Sequence, residues 1–319
     1  MNDKLIRIEQ TMIAHLDNHQ RNLLHRTLLS VLGDEEPATT ERDYLALYLS
    51  AKTVEGCSEK TLAYYRTTIH RALESIGKDV VLITTDDLRL YLDGYLRESQ
   101  AGKVTIDNIR RVLSSFFSWL EDEDYIMKSP VRRIHKVKTG KTVKETYTDE
   151  MLETMRDNAA CLRDLALIDL LASTGMRVGE LVKLNRADID FENRECVVFG
   201  KGDKERKAYF DARTKIHLRA YLDGRTDDNP ALFVTLARPH ARLKISGVEI
   251  RLRELGRRLH LPKVHPHKFR RTLATMAIDK GMPIEQVQHL LGHQSVDTTL
   301  QYAMVNQANV KNSHRKFIA

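Results

Sequence analysis

The chain reads as mainly α, in two domains, with one small antiparallel β-sheet in the second. Three observations carry this reading. Apolar residues recur at three- and four-residue intervals through most of the 319 residues, the spacing of helices that bury one face. A basic stretch around Pro130 and Gly140 interrupts that pattern midway. A single segment, E-C-V-V-F and R-K-A-Y-F about the turn G-K-G-D-K-E, reads as paired strands. The length suffices for two cores of ordinary size. The expected boundaries are a helical extension over 1–40, a helical domain over 41–127, a basic linker over 128–147, and a second domain over 148–319 ending in a tail at 306–319.

The extension carries Ile6, Ile8, Met12, Ile13, Leu16, Leu24, Leu28 and Leu32 mostly at helical spacing, before G-D-E-E-P-A-T-T breaks it. A hairpin of two helices fits. In the next domain Ser58 is a good N-cap, followed by the stripe Leu62, Tyr65, Ile69 and Leu73. Thr85 is read as the cap of a second helix, with Leu88, Tyr91, Leu92 and Tyr95 on its apolar side. Thr105 is read as opening a third, whose stripe is Ile106, Ile109, Leu113, Phe116 and Leu120. Lys60, Arg66, Arg71, Arg110 and Arg111 lie off these stripes. Scattered arginines are usually solvated, and alone these say little.

The stretch 126–144 gives them a context. It holds seven Lys or Arg and no acid, so it is a linker by composition and an electrostatic strap by charge. Lys128, Arg132, Arg133, Lys136 and Lys138 join Lys60, Arg66, Arg110 and Arg111 as candidates for contact with a phosphate backbone.

Thr148 and the acids after it suit a helix N-terminus opening the second domain. Residues 161–172 are apolar nearly all round, the pattern of a buried central helix. After the hairpin, helices are expected at about 213–223, 246–260, 267–280, 284–291 and 296–304, with Gly281 and Gly292 at C-caps.

Composition narrows the function classes. Hydrophobic residues make up 42% and mean hydropathy is −0.42, with no apolar run of membrane-spanning length. The first residues have charges scattered among their apolar positions, unlike a secretory leader. A cytoplasmic protein is expected, nucleoid-associated when on DNA. A net charge of +7 and a pI near 9.2 favour a polyanionic partner. Cys57, Cys161 and Cys196 form no paired pattern and read as reduced, buried thiols.

The chemistry concentrates in the last third. Arg177 stands in T-G-M-R-V-G-E-L, Lys201 in F-G-K-G-D-K-E-R, His267 and Arg270 in H-P-H-K-F-R-R-T, His293 in L-L-G-H, and Tyr302 at the end of T-T-L-Q-Y. Two arginines, a lysine and two histidines can neutralise and protonate a phosphodiester, and a tyrosine can attack it. Together they can cut DNA covalently without a metal. Each residue alone has a plainer reading: Arg177 could pair with Glu180, and Lys201 could be a solvated turn lysine. Tyr302 could be a core or interface tyrosine. A zinc site using His289 and His293, or His265 and His267, is the chemical rival, but no H-E-x-x-H or cysteine pair completes a ligand set. No phosphate-loop or dinucleotide fingerprint occurs.

These motifs, in this order and spacing, resemble the tyrosine recombinases, the phage-integrase family that includes the Xer recombinases. The likeness covers roughly 148–303, and the helices at 58–74 and 105–120 resemble the family's core-binding domain less specifically. All six positions match; Arg271 departs, standing where the family often has histidine. The resemblance implies a two-domain DNA clamp with a core-binding domain and a catalytic domain. It implies a 3′-phosphotyrosyl intermediate made by Tyr302, with Arg177 and Arg270 on the phosphate, Lys201 as general acid, and His267 and His293 assisting. It implies no cofactor, no metal and no ATP. The implied partners are double-stranded DNA with short inverted-repeat core sites, a homotetramer on two such sites, and accessory proteins, but no membrane. The family's tasks include integration, excision, inversion and dimer resolution. A type IB topoisomerase-like enzyme and a catalytically silent DNA-binding protein are the alternatives.

Overall fold

The computed structural model describes residues 2–13, 15–32, 42–138, 145–200, 205–293 and 295–300. The chain divides into two compact units, 1–141 and 142–319.

The first unit is helical. Helices α1 (Asn2–Met12) and α2 (Asn18–Leu32) form the expected hairpin. Asn22 on α2 donates to the Val81 carbonyl at 3.3 Å, and Arg26 reaches Asp79. Then come α3 (Tyr44–Val54), α4 (Glu59–Ile76), α5 (Thr85–Glu98) and α6 (Lys103–Asp122). Ser58 caps α4, accepting from the Thr61 amide.

The cap of α5 is Thr84 rather than Thr85. Thr84 and Asp87 satisfy each other's backbone amides in a capping box, and only Thr84 has an acid three residues on. Helix α6 starts at Lys103, after Gly102 and ahead of Thr105. The apolar stripes close on one core in which Tyr48, Ile69, Leu88, Phe116, Phe117 and Leu120 are fully buried. Tyr48 meets Phe116 and Trp119 edge-on, and its hydroxyl donates to Ser115.

Residues 128–138, expected as linker, are folded onto this unit. Pro130 and Val131 are buried in a 3₁₀ turn, and Ile134 and Val137 pack on the same core. Thr85 donates to the Pro130 carbonyl at 2.7 Å, and the Val137 amide donates to Asp107 at 3.1 Å. The apolar residues interleaved with the lysines account for this, since burying them outweighs the disorder that the charges favour.

The second unit is built round α8 (Leu162–Thr174), against which α7 (Asp149–Asp157), α10 (Ala212–Asp223) and α12 (Pro266–Asp279) pack. Thr148 caps α7 as expected. Helix α8 is buried but not purely apolar. Arg163, Asp164 and Asp169 are inside it, and each is paired: Arg163 with Asp164, Asp164 also with Arg251, and Asp169 with Arg156. A buried charge persists only with such partners.

A short helix α9 (Val178–Leu181) leads to the sheet, whose order is β1 (Ile189–Asp190), β2 (Glu195–Phe199), β3 (Glu205–Tyr209), all antiparallel. The two-residue β1 is too short to show a period in sequence. Register sets Cys196 against Ala208 and Val198 against Arg206, and these four face inward. Helices α11 (Ile245–Arg258), α13 (Ile284–Leu291) and α14 (Val296–Leu300) complete the described unit. Of the three cysteines, Cys196 alone is buried, and burial pushes its thiol up to about 12; Cys57 and Cys161 are half-buried, contrary to expectation. Among the described residues no helix is long and apolar enough to cross a membrane.

Candidate active site

Three guanidinium groups meet at the C-terminal end of α13. Arg206 donates to the Leu290 carbonyl at 2.9 Å, Arg270 to the Leu291 carbonyl at 2.5 Å, and Arg177 to the Gly292 carbonyl at 3.4 Å. The last carbonyls of a helix lack intrahelical partners and carry the negative end of its dipole, so they attract cations. Gly292 closes α13 in the left-handed region, at φ 64°, and the chain turns directly into His293.

Each arginine is delivered by a different element. Helix α8 ends at Gly175, φ 59°, which turns the chain so that Arg177 stands at the start of α9. Its guanidinium pairs with Glu180 at 2.8 Å, the partner foreseen from the spacing, and its own amide donates to the same carboxylate. Arg270, on α12, is 3% exposed and also donates to the Gly175 carbonyl at 2.7 Å. It thus ties the ends of α8 and α13 together. Arg206 reaches in from β3 and shares Glu180, at 2.6 Å. Glu180 is itself buried, so it needs both cations.

His267 and His293 both have their pKa values pushed down, which favours the neutral ring. His293 is buried and its Nδ1 is 2.9 Å from the Thr299 hydroxyl. Burial, then Arg270, Arg177 and Arg206, push its pKa down to about 4. His267 is held low by loss of hydration and by Arg270, Arg177 and Arg271. Neutral imidazoles beside cations can accept or share a proton while leaving the anion-binding role to arginine.

Helix α12 is fixed from its other side. Tyr147 is buried; its amide donates to Thr272 at 2.9 Å and its hydroxyl accepts from the His265 amide at 3.2 Å. Its ring stacks at a tilt on Phe269, and the buried Lys268 ammonium lies 4.7 Å from the ring centroid. Arg271, the departure from the family pattern, donates to the Glu145 carbonyl at 2.9 Å. On a 3.6-residue helix, 265, 268, 269 and 272 lie about half a turn from 267 and 270. One side of α12 therefore anchors the chain segment 145–147, and the other presents His267 and Arg270.

Lys201 and Tyr302 lie outside the described residues, as does the tail 306–319. Their flanks are described. The strands bracketing Lys201 end at Phe199 and resume at Glu205, next to Arg206. Thr299, fully buried and bonded to His293, stands three residues before Tyr302. In the pair His289 and His293, on which the rival zinc reading drew, Gly292 ends the helix between the two. Among the described residues no three His, Cys, Asp or Glu could hold an ion.

The expected DNA contacts are all in the first unit. Lys60, Arg66, Arg111, Lys128, Arg132, Arg133, Lys136 and Lys138 are exposed. Arg110 is not: it is half-buried and bonded to Asp107 at 2.9 Å, the carboxylate that also takes the Val137 amide. Its charge serves to hold 137 against α6. Reading the sequence alone missed Arg206 and gave Glu180 only a pairing role. The G-K-G-D-K-E-R segment contains Arg206, but its wording does not set Arg206 apart from the charged residues beside it; only the inward register in β3 does.

Known proteins resemble this chain in sequence and fold. Residues 141–309 match the phage integrase family, and 45–127 match the phage integrase N-terminal SAM-like domain. The tyrosine recombinase XerC of Oceanobacillus iheyensis is 30% identical over 290 residues, 86% of this chain and 95% of that one. XerC of Herpetosiphon aurantiacus is 31% identical over 279 residues, 82% of this chain and 90% of that one. Among solved structures, the XerH site-specific recombinase bound to a palindromic difH substrate superposes with a TM-score of 0.68 at 20% identity, over 99% of this chain and 95% of that one. The Tn1549 transposon integrase in complex with a circular intermediate DNA gives 0.70 at 20% identity, over 86% of this chain and 98% of that one. These two show the fold. The relatives set aside the topoisomerase-like and silent-binder alternatives. With a family match over half its length and relatives 30% identical over more than four-fifths of it, the chain belongs to the phage integrase family and is a site-specific tyrosine recombinase.

Proposed function

We propose that this chain cuts and rejoins duplex DNA at short inverted-repeat sites, using Tyr302 as nucleophile and no metal or nucleotide cofactor. The Tyr302 oxygen bonds to the scissile phosphorus as the bond from phosphorus to the 5′-oxygen breaks. The tyrosine proton passes to His267, and Lys201 protonates the departing 5′-oxygen. Arg177 and Arg270 hold the non-bridging oxygens as charge builds, and His293 hydrogen-bonds to the phosphate. A 5′-hydroxyl from a partner strand then reverses the step on a new duplex. Because one ester replaces another, the exchange needs no energy source.

The observation that carries this reading is the convergence of Arg177, Arg206 and Arg270 on the end of α13, with neutral His293 following at once. Among the described residues, the three guanidiniums are set against the carboxylate of Glu180, which Arg177 and Arg206 share, an excess of positive charge that suits an anion. In the working state the exposed basic residues of 60–138 would lie along the DNA backbone, and four copies would join two sites.

Lysine as general acid has a sharp test. Lys201→Ala should slow cleavage by roughly 10²–10⁴-fold on a normal 5′-oxygen leaving group. On a 5′-bridging phosphorothiolate, whose thiolate leaves unaided, the loss should be far smaller. Equal losses on both substrates would mean that Lys201 only binds DNA.

A further inference from the structure

We infer that Arg206 is a positioning residue of the recombination site: by offsetting the Glu180 carboxylate and bracing the end of α13, it leaves Arg177 available to the phosphate. This deepens the function proposed above and rests on it.

Arg206 occupies an inward position of β3 with its side chain 11% exposed, too enclosed to reach DNA as a surface arginine would. One arm of its fork holds the Leu290 carbonyl at 2.9 Å, and the other holds Glu180 at 2.6 Å. Its middle stem rests on Gly292: a Cβ built there would lie 2.6 Å from Arg206 Cδ. The left-handed glycine before His293 is thus seated directly on this side chain. Its Nε is buried and meets no acceptor among the described residues. An enclosed arginine with one unmet donor is a poor source of stability. Its effect on its neighbours gives it a better account.

That effect follows from charge. Glu180 accepts from the amide and the guanidinium of Arg177 and from Arg206. With Arg206 present, the carboxylate is shared, and among the described residues the cluster of Arg177, Arg206 and Arg270 keeps two net positive charges after Glu180 is counted. Without Arg206, Glu180 would be spent on Arg177 alone and the excess would halve. The helix end would also lose the brace on Leu290, one residue from the carbonyl that Arg270 holds. The scissile phosphate would then meet a weaker and less ordered pair of arginines. Lysine cannot substitute fully, because a single ammonium lacks the planar fork that spans Glu180 and the Leu290 carbonyl.

The test compares an anionic and a neutral target. Full-length protein is given a nicked suicide duplex carrying its own recombination site, selected from random-sequence DNA, with either a normal phosphodiester or an uncharged methylphosphonate at the scissile position. Arg206→Met should bind the duplex within about threefold of wild type. It should cleave the phosphodiester about 100-fold more slowly, the loss typical of one transition-state donor. On methylphosphonate the loss should shrink to a few-fold, since little negative charge remains to be met. Adding Glu180→Gln to Arg206→Met should recover at least about tenfold on the phosphodiester, because the unshared carboxylate is gone.

Equal losses on the two substrates, or no recovery in the double variant, would show that Arg206 only supports the fold and would overturn the inference. Should Arg206→Met fail to fold, Arg206→Lys carries the same comparison, with about tenfold loss expected on the phosphodiester alone and equal losses again overturning it. Absence of any covalent adduct with wild type on the phosphodiester would instead sink the proposed function, so the two failures are told apart.

Discussion

His293 shows how the site is tuned. Its ring is buried between Thr299 and three arginines, and its pKa falls to about 4 from the ordinary 6.5. The neutral form is what the folded state holds. The unfolded chain takes up a proton on this histidine below about pH 6.5, whereas the folded chain does so only below about pH 4. Stability contributed by neutral His293 is therefore complete above pH 6.5 and is lost as pH falls toward 4. His265 and His267, also held low, act in the same direction. The slope of unfolding free energy against pH between 4 and 6.5 should accordingly be shallower in His293→Gln than in wild type. Identical slopes would mean that the ring is hydrated in solution.

Single motif positions were legible here because their chemistry is unusual: Arg177, His267, Arg270 and His293 all reach one site from their local wording. Arg206 was not, since a charged residue at an inward strand position declares itself only when its partners, Glu180 and Leu290, are brought to it from distant segments. Arg110 erred the other way. Its place off an apolar stripe suggested a free charge, and Asp107, three residues earlier on the same helix, claims it.

Among the elements, helix ends do most of the positioning. The ends of α8 and α13 supply carbonyls for the arginines, and each is closed by a left-handed glycine. Gly175 has no spare room: a Cβ there would lie 2.7 Å from Leu273 Cδ2 and 3.1 Å from Leu291 Cδ2. Gly175→Ala should cost about 1 kcal/mol for the backbone conformation and about 1–3 kcal/mol for the forced repacking. A fall of roughly 2–4 kcal/mol in urea unfolding is the expected outcome. An unchanged midpoint would contradict the packing at this joint. The helices themselves were readable from period and caps, to within a residue or two. The misplaced start at Thr85 arose because two adjacent threonines can both cap, and only the acid at Asp87 decides between them. The two-residue β1 and the folded stretch 128–138 were not readable. One is too short for a period, and the other mixes apolar anchors with a charge density that mimics an open linker.

At the level of the whole protein, two separately cored units carry unlike tasks. The first is a helical unit with exposed cations along its surface and along residues 128–138. The second gathers guanidiniums from α9, β3 and α12 onto one helix end. The net charge of +7 suits an anionic partner, but the distribution of charge says more than its sum. Arginines fixed by carbonyls and by Glu180 supply the positive field that a metal ion supplies elsewhere. The account therefore requires a covalent bond between one tyrosine and DNA, formed without a metal. Trapping on a suicide duplex in excess EDTA, followed by peptide mapping of the adduct, tests this most directly. The adduct should form undiminished and map to Tyr302, and Tyr302→Phe should abolish it while binding the site as wild type does. An adduct on the exposed Tyr209 or the buried Tyr221, or cleavage lost to EDTA and restored by Mg²⁺ or Zn²⁺, would contradict it.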